Sequence, residues 1–147
     1  MNRFYFWQQW LFWSCILFAL FGVAFAFCGN TVLFNYFNGA YEAVFWKNET
    51  IPSQFYQYKN FVYGSFGGTI VCCYILLAYI IRYPFRKKEK WSYYSIITAF
   101  SVWVFIDSFT CVVHKVYFQI YVINAFSIIV KALPLIFTWK YFFRKEK

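Results

Sequence analysis

Four long apolar stretches run along this chain, at residues 9–28, 61–83, 92–113 and 117–139, with polar residues collected between and beyond them. An α-helix needs about 20 residues to cross about 30 Å of hydrocarbon at about 1.5 Å per residue, and each stretch reaches that length. The pattern predicts an all-α membrane protein: a four-transmembrane-helix antiparallel bundle, forming a single domain over residues 1–147. The outer loop at 29–60 includes Tyr36, Phe37, Tyr41, Phe45 and Trp46. That is too aromatic for a disordered linker and predicts a short interfacial helix or cap.

Composition agrees, since 63% of residues are hydrophobic and 13% charged, unlike a soluble domain. Charge then orients the helices. With four spans, Arg3, the loop residues Arg82, Arg86, Lys87, Lys88 and Lys90, and the tail residues Lys140, Arg144, Lys145 and Lys147 share one side; Lys47, Lys59 and Lys115 lie on the other. Short loops rich in Lys and Arg stay in the cytoplasm, so both termini are expected there. The net charge of +9 is thereby concentrated where anionic lipid headgroups attract it. Nucleic acid is not an expected partner, because the cations flank the spans instead of spreading over a folded surface with stacking positions. Abundant Phe, Tyr, Ile and Asn, and more Lys than Arg, suit an AT-rich genome, and the expected location is a bacterial inner (plasma) membrane. Ala24-Phe25-Ala26 resembles the cleavage site of a secretory signal. The aromatic start, from Phe4 to Trp13, reads instead as an interfacial belt on a retained helix.

Cys15, Cys28, Cys72, Cys73 and Cys111 contain no C-x-x-C, so neither a metal site nor a four-helix quinone-linked thiol oxidoreductase is expected, and no cofactor is implied. Cys15, Cys72 and Cys73 read as small packing groups. Cys28 and Cys111 both fall near the outer ends of their spans, where an oxidising compartment would allow a disulfide. Helix packing in lipid depends on small residues. Gly64-Ser65-Phe66-Gly67-Gly68 carries a small-xxx-small element from Gly64 to Gly68, and Cys15, Ala19, Gly22 and Ala26 share one face of the first helix. These two faces are expected to pack together, with a homo-oligomer built on the same glycines as the alternative.

The polar residues form stripes. Trp103, Asp107, Thr110, Cys111 and His114 share a face of the third helix; Tyr117, Tyr121, Asn124, Ser127, Lys131 and Thr138 share one of the fourth. An Asp or Lys at a helix centre costs about 2.5–3.5 kcal/mol in lipid, so these faces should look inward. With the hairpin turning at 114–117, Asp107 lies about 10 Å below the outer surface. Asn124, Thr69, Gly67, Gly68 and Gly22 fall at a similar level, which outlines a small polar pocket. Asp107 is read either as a ligand or proton site, or as an acid that only fixes helix register through Asn124 or Thr69. His114 completes a relay with Asp107 or does nothing special. Lys131 lies deeper, and its stem is expected to snorkel toward the cytoplasmic face. Pro134 leaves the carbonyl of Val130 without its helical donor. Glu42 and Glu49 line the pocket entrance or are simply solvated, and Asn48-Glu49-Thr50 fits a glycosylation pattern.

No nucleophile–base pair, phosphate loop or zinc motif is present in the sequence. The expected role is non-enzymatic: binding a lipid or small amphiphile, or assisting a membrane complex. A proton- or ion-coupled carrier and a membrane enzyme acting on lipid or quinone through Asp107, His114 and Cys111 are the alternatives. The loop Tyr83-Pro84-Phe85-Arg86-Lys87-Lys88-Glu89-Lys90-Trp91 resembles that of small bacterial four-helix membrane proteins. The layout is similar to DoxX-like proteins, with four spans and a longer first outer loop. This likeness of topology covers most of the chain and implies little about activity.

Overall fold

The computed structural model describes residues 3–47 and 49–143, and all its regular structure is helical. In order these are α1 (Arg3–Cys28), a 3₁₀ turn (Val32–Phe34), α2 (Asn35–Phe45), α3 (Ser53–Ile80) running into a π segment (Ile81–Phe85), and α4 (Lys90–Val113). A short α5 (Tyr117–Gln119), a second π segment (Ile120–Asn124) and α6 (Ala125–Phe143) follow without a break. Among the described residues, four helical stretches are long and apolar enough to cross a membrane: Arg3–Cys28, Ser53–Phe85, Lys90–Val113 and Tyr117–Phe143. Helices satisfy every backbone polar group within the segment, which is what hydrocarbon demands. The short helix expected in the outer loop is α2.

Two helices begin earlier than their apolar stretches suggest, α1 at Arg3 rather than 9 and α3 at Ser53 rather than 61. Packing extends them. Phe4 is buried against Phe85, Tyr141 and Phe142, and Lys59 is buried in an ion pair with Glu42. The loop after Pro84 closes with Lys88 in the left-handed region (φ 62°), its N–H donating to Phe85 O at 2.9 Å and that of Glu89 to Pro84 O at 3.0 Å. Lys115 (φ 60°) repeats the pattern after α4, with Val116 N–H on Cys111 O at 2.8 Å. Both turns answer carbonyls that a helix end leaves open.

The contacts group into two units, Met1–Ile16 with Ile75–Lys147, and Leu17–Tyr74. The first gathers segments of all four long helices. Its interior holds Leu11, Ile81, Phe85 and Ile96, but also Gln8, Ser92, Asn124, Ser127, Lys131 and Thr138, each at most 1% exposed. Its surface carries Phe105, Ile106, Phe109, Ile136 and Phe137. Polar inside and apolar outside is the reverse of a soluble domain, and hydrocarbon as the surrounding solvent accounts for it. Gln8 Nε2 donates to the carbonyl of Ile81, where the Pro84 π segment starts (3.2 Å). Trp10 Nε1 donates to the carbonyl of Val130 (3.2 Å), the one Pro134 leaves without a helical donor.

In the second unit, Gly22 of α1 meets Gly67 of α3. A Cβ on Gly67 would stand 2.6 Å from the Gly22 carbonyl oxygen and 2.7 Å from Ala26 Cβ, so only glycine allows this approach. A Cβ on Gly64 or Gly68 would meet nothing within 4 Å. The expected Gly64–Gly68 packing element is therefore not what brings α1 and α3 together; Gly67 does so, because it lies about 100° around the helix from Gly68. The α2 cap is fastened by polar groups. Asn38 Nδ2 donates to Gly29 O (2.8 Å), Tyr63 Oη donates to Asn38 Oδ1 (2.9 Å), and Lys59 Nζ pairs with Glu42 Oε1 at 3.1 Å. Glu42 is thus an ion-pair partner rather than merely solvated. Glu49 is exposed, and Asn48 of the glycosylation pattern lies outside the described residues.

Candidate functional site

Asp107 is the only acidic residue in the four membrane-length stretches, and the first unit builds a hydrogen-bonded cluster around it. Gln119 Nε2 donates to both carboxyl oxygens, at 2.9 and 3.0 Å. Asn124 Nδ2 donates to Oδ2 at 2.8 Å and to Ser108 Oγ at 3.1 Å. From one turn along α4, Cys111 Sγ donates to Oδ2 at 3.6 Å. The carboxyl thus receives donors from both sides of the α4–α5 hairpin.

The π segment is what makes this geometry. Gln119 and Asn124 are five residues apart, which on a regular α-helix separates them by about 140° of rotation. The wider i→i+5 turn brings residues five apart onto one face, and the Ala125 N–H accordingly reaches back to Ile120 O. Asn124 is 1% exposed, and its Oδ1 has no hydrogen-bond partner among the described residues.

Asp107 and Asn124 are therefore brought together. Thr69 belongs to the second unit, and its hydroxyl donates to Ser65 O of its own helix (3.1 Å). Gly22 and Gly67 serve the α1–α3 crossing in that unit, and the face of Gly64 and Gly68 is open. His114 stands exposed at the C-cap of α4, its backbone N–H on Thr110 O (3.1 Å). Thr110 is exposed and turns its hydroxyl to Ile106 O (2.9 Å). The expected Cys28–Cys111 disulfide is not formed: both thiols are free, and the i to i+4 spacing commits Cys111 to Asp107. Lys131 does not snorkel. It is fully buried, with Nζ 5.9 Å from the centroid of the Phe100 ring, because its α6 face continues the inward stripe of Asn124 and Ser127. Among the described residues, no group of three or more His, Cys, Asp and Glu could hold a metal ion.

Sequence reasoning missed Gln119 and Ser108. A regular 3.6-residue period selects Tyr117 and Tyr121, both of which are exposed, because the inserted π turn shifts the register before Asn124. Ser108 had a readable signal, lying seven residues from Ser101 on the same face of α4. Both serines line a groove of about 770 Å³ between α4 and α6, together with Tyr93, Ile97, Ala132 and Ile136. From Tyr93 to Val112 the groove follows α4 for about 28 Å. Thr69, Thr110 and Thr138 return their hydroxyls to backbone carbonyls of their own helices, whereas Ser108 accepts from Asn124. The Asp107 cluster thus touches the groove through Ser108. Comparison with known protein families, with curated proteins and with solved structures found no match to this chain.

Proposed function

We propose that this chain is a non-enzymatic membrane protein that binds a lipid or small amphiphile along the α4–α6 groove, in a bacterial plasma membrane with both termini cytoplasmic. The observation that carries the reading is the groove itself. It measures about 770 Å³, within the range of ligand sites; its length approaches the roughly 30 Å thickness of the hydrocarbon core, which leaves room for an acyl chain lying along the helices. Its walls are apolar apart from two serine hydroxyls and the phenol of Tyr93, which donates to Leu135 O, and one of the serines, Ser108, belongs to the Asp107 cluster. An apolar tail along α4 and α6 with its polar end at Ser108 and Asn124 matches that distribution. The clustering of cations in the 81–90 loop and at the end of α6 supports the orientation.

Filling the groove tests the reading. Ala132→Trp is expected to abolish co-purification of the bound amphiphile, measured by lipid extraction and mass spectrometry, while helix content is retained. Asp107→Asn is expected to weaken it by disturbing Asn124. Unchanged amphiphile content in Ala132→Trp rejects the groove. A second reading, a proton- or ion-coupled carrier, is favoured by the buried polar line from Asn124 of the π segment through Ser127, Lys131 and Thr138 of α6. In proteoliposomes that reading requires pH-dependent flux that Lys131→Met removes; equal flux in both proteins rejects it.

A further inference from the structure

Away from the groove, the end of the first unit that carries the 81–90 loop is a shelf of aromatic rings. Phe85 and Tyr93 lie 4.7 and 5.0 Å from Phe142 between centroids, and Phe4 lies 5.2 Å from Tyr141. Two ammonium groups far apart in sequence converge on it. Lys88 Nζ is 5.5 Å from the Phe4 centroid and 5.7 Å from that of Tyr141, and Lys140 Nζ is 5.2 Å from the same Tyr141 centroid. Beside them the guanidinium carbons of Arg82 and Arg86 lie 5.8 and 6.0 Å from Phe12 and Tyr5.

Among the described residues no carboxylate neutralises this group. Among the described residues the ion pair present is Lys59 with Glu42, so none of these four cations is paired with a carboxylate. Glu89, next in the loop, takes the indole N–H of Trp91 at 2.7 Å. The ring quadrupole offsets part of the repulsion between the two ammonium groups, and an anion shared between them would offset the rest. Lys88 is also aimed by its backbone, since it holds a left-handed conformation where glycine is usual, fixed by the two turn hydrogen bonds already described. The cations sit at the ends of membrane-length helices among interfacial aromatic residues, the depth of lipid headgroups.

We propose that Lys88 and Lys140, converging over Tyr141, form a headgroup site for an anionic phospholipid, its phosphate bridging the two ammonium groups. This site is independent of the groove. Native mass spectrometry tests it on the full chain in neutral detergent offered phosphatidylglycerol and phosphatidylcholine in equal amounts. A preference for phosphatidylglycerol of about twenty-five-fold is expected, from two basic side chains that each favour an anionic surface by about a factor of five. The double variant Lys88→Asn/Lys140→Gln is expected to lose it, Asn being chosen because it tolerates the left-handed backbone. Lys87→Gln/Lys90→Gln removes the same amount of charge, both groups from beside Lys88, and is expected to keep it, as is Lys140→Arg. Equal loss in the two double variants, or a preference that survives Lys88→Asn/Lys140→Gln, overturns the proposal. Excess inorganic phosphate is expected to leave the lipid adducts in place; complete displacement identifies a free-phosphate site and overturns the lipid assignment.

Discussion

What a glycine contributes to a membrane helix depends on where its absent side chain would point. Gly67 and Gly68 are neighbours in α3, yet a Cβ on Gly67 would press on the backbone of Gly22 and Ala26, whereas one on Gly68 would meet open space. Backbone cannot move aside as a flexible side chain can. Gly67→Ala is therefore expected to destabilise the protein by about 1–3 kcal/mol. Gly68→Ala should be neutral or stabilising by up to about 1 kcal/mol, since glycine is a poor helix former. Denaturant titration in detergent measures both, and comparable losses in the two variants would refute the assignment. Trp10 offers a second comparison. Its indole N–H serves the carbonyl that Pro134 leaves open, so Trp10→Phe is expected to cost about 1 kcal/mol. In a Pro134→Ala background, where residue 134 regains its N–H, the same change should cost close to nothing.

At the scale of elements, the π segment Ile120–Asn124 decides which residues face Asp107. Deleting Val122 is expected to convert it to regular helix and rotate Gln119 away from the carboxyl. In the parent protein, a double-mutant cycle between Asp107→Asn and Gln119→Leu should report a coupling of about 0.6–1.7 kcal/mol, the range of interhelical hydrogen bonds in membranes. In the deletion variant that coupling should vanish; its persistence would show that the π turn is not what aims Gln119. This is also why the sequence is only half legible here. The stripe read from a 3.6-residue period holds from Asn124 through Ser127 and Lys131 to Thr138, all buried, and fails at Tyr117 and Tyr121, which are exposed on the far side of the inserted residue.

For the molecule as a whole, the decisive quantity is the uneven distribution of charge. Cations crowd the 81–90 loop and the end of α6, and short basic segments resist translocation. The proposed orientation predicts that a fluorescent protein fused after Lys147 is bright and that alkaline phosphatase fused there is inactive. An active phosphatase would reverse the topology. The α2 segment belongs to the opposite side on this reading, so cysteines introduced at exposed positions such as Tyr36 should react with a membrane-impermeant maleimide in intact cells.

The sequence by itself determined the class of fold, the number of membrane-length helices and the short helix between the first two. These follow from local composition, because hydrocarbon forces each apolar run to satisfy its own backbone. It also set Asn124 and Thr69 at the depth of Asp107 as alternative partners and left the Val130 carbonyl open, since rise along each helix and the chemistry of proline are local facts. Only the tertiary structure decided that Gly67 rather than the Gly64–Gly68 pair makes the close crossing, that Cys111 turns to Asp107 rather than to Cys28, that Lys131 is enclosed rather than extended to the surface, and that Lys88 and Lys140 share one ring. Each of these depends on how far a helix is rotated about its axis, and that angle is set by neighbours from distant parts of the chain.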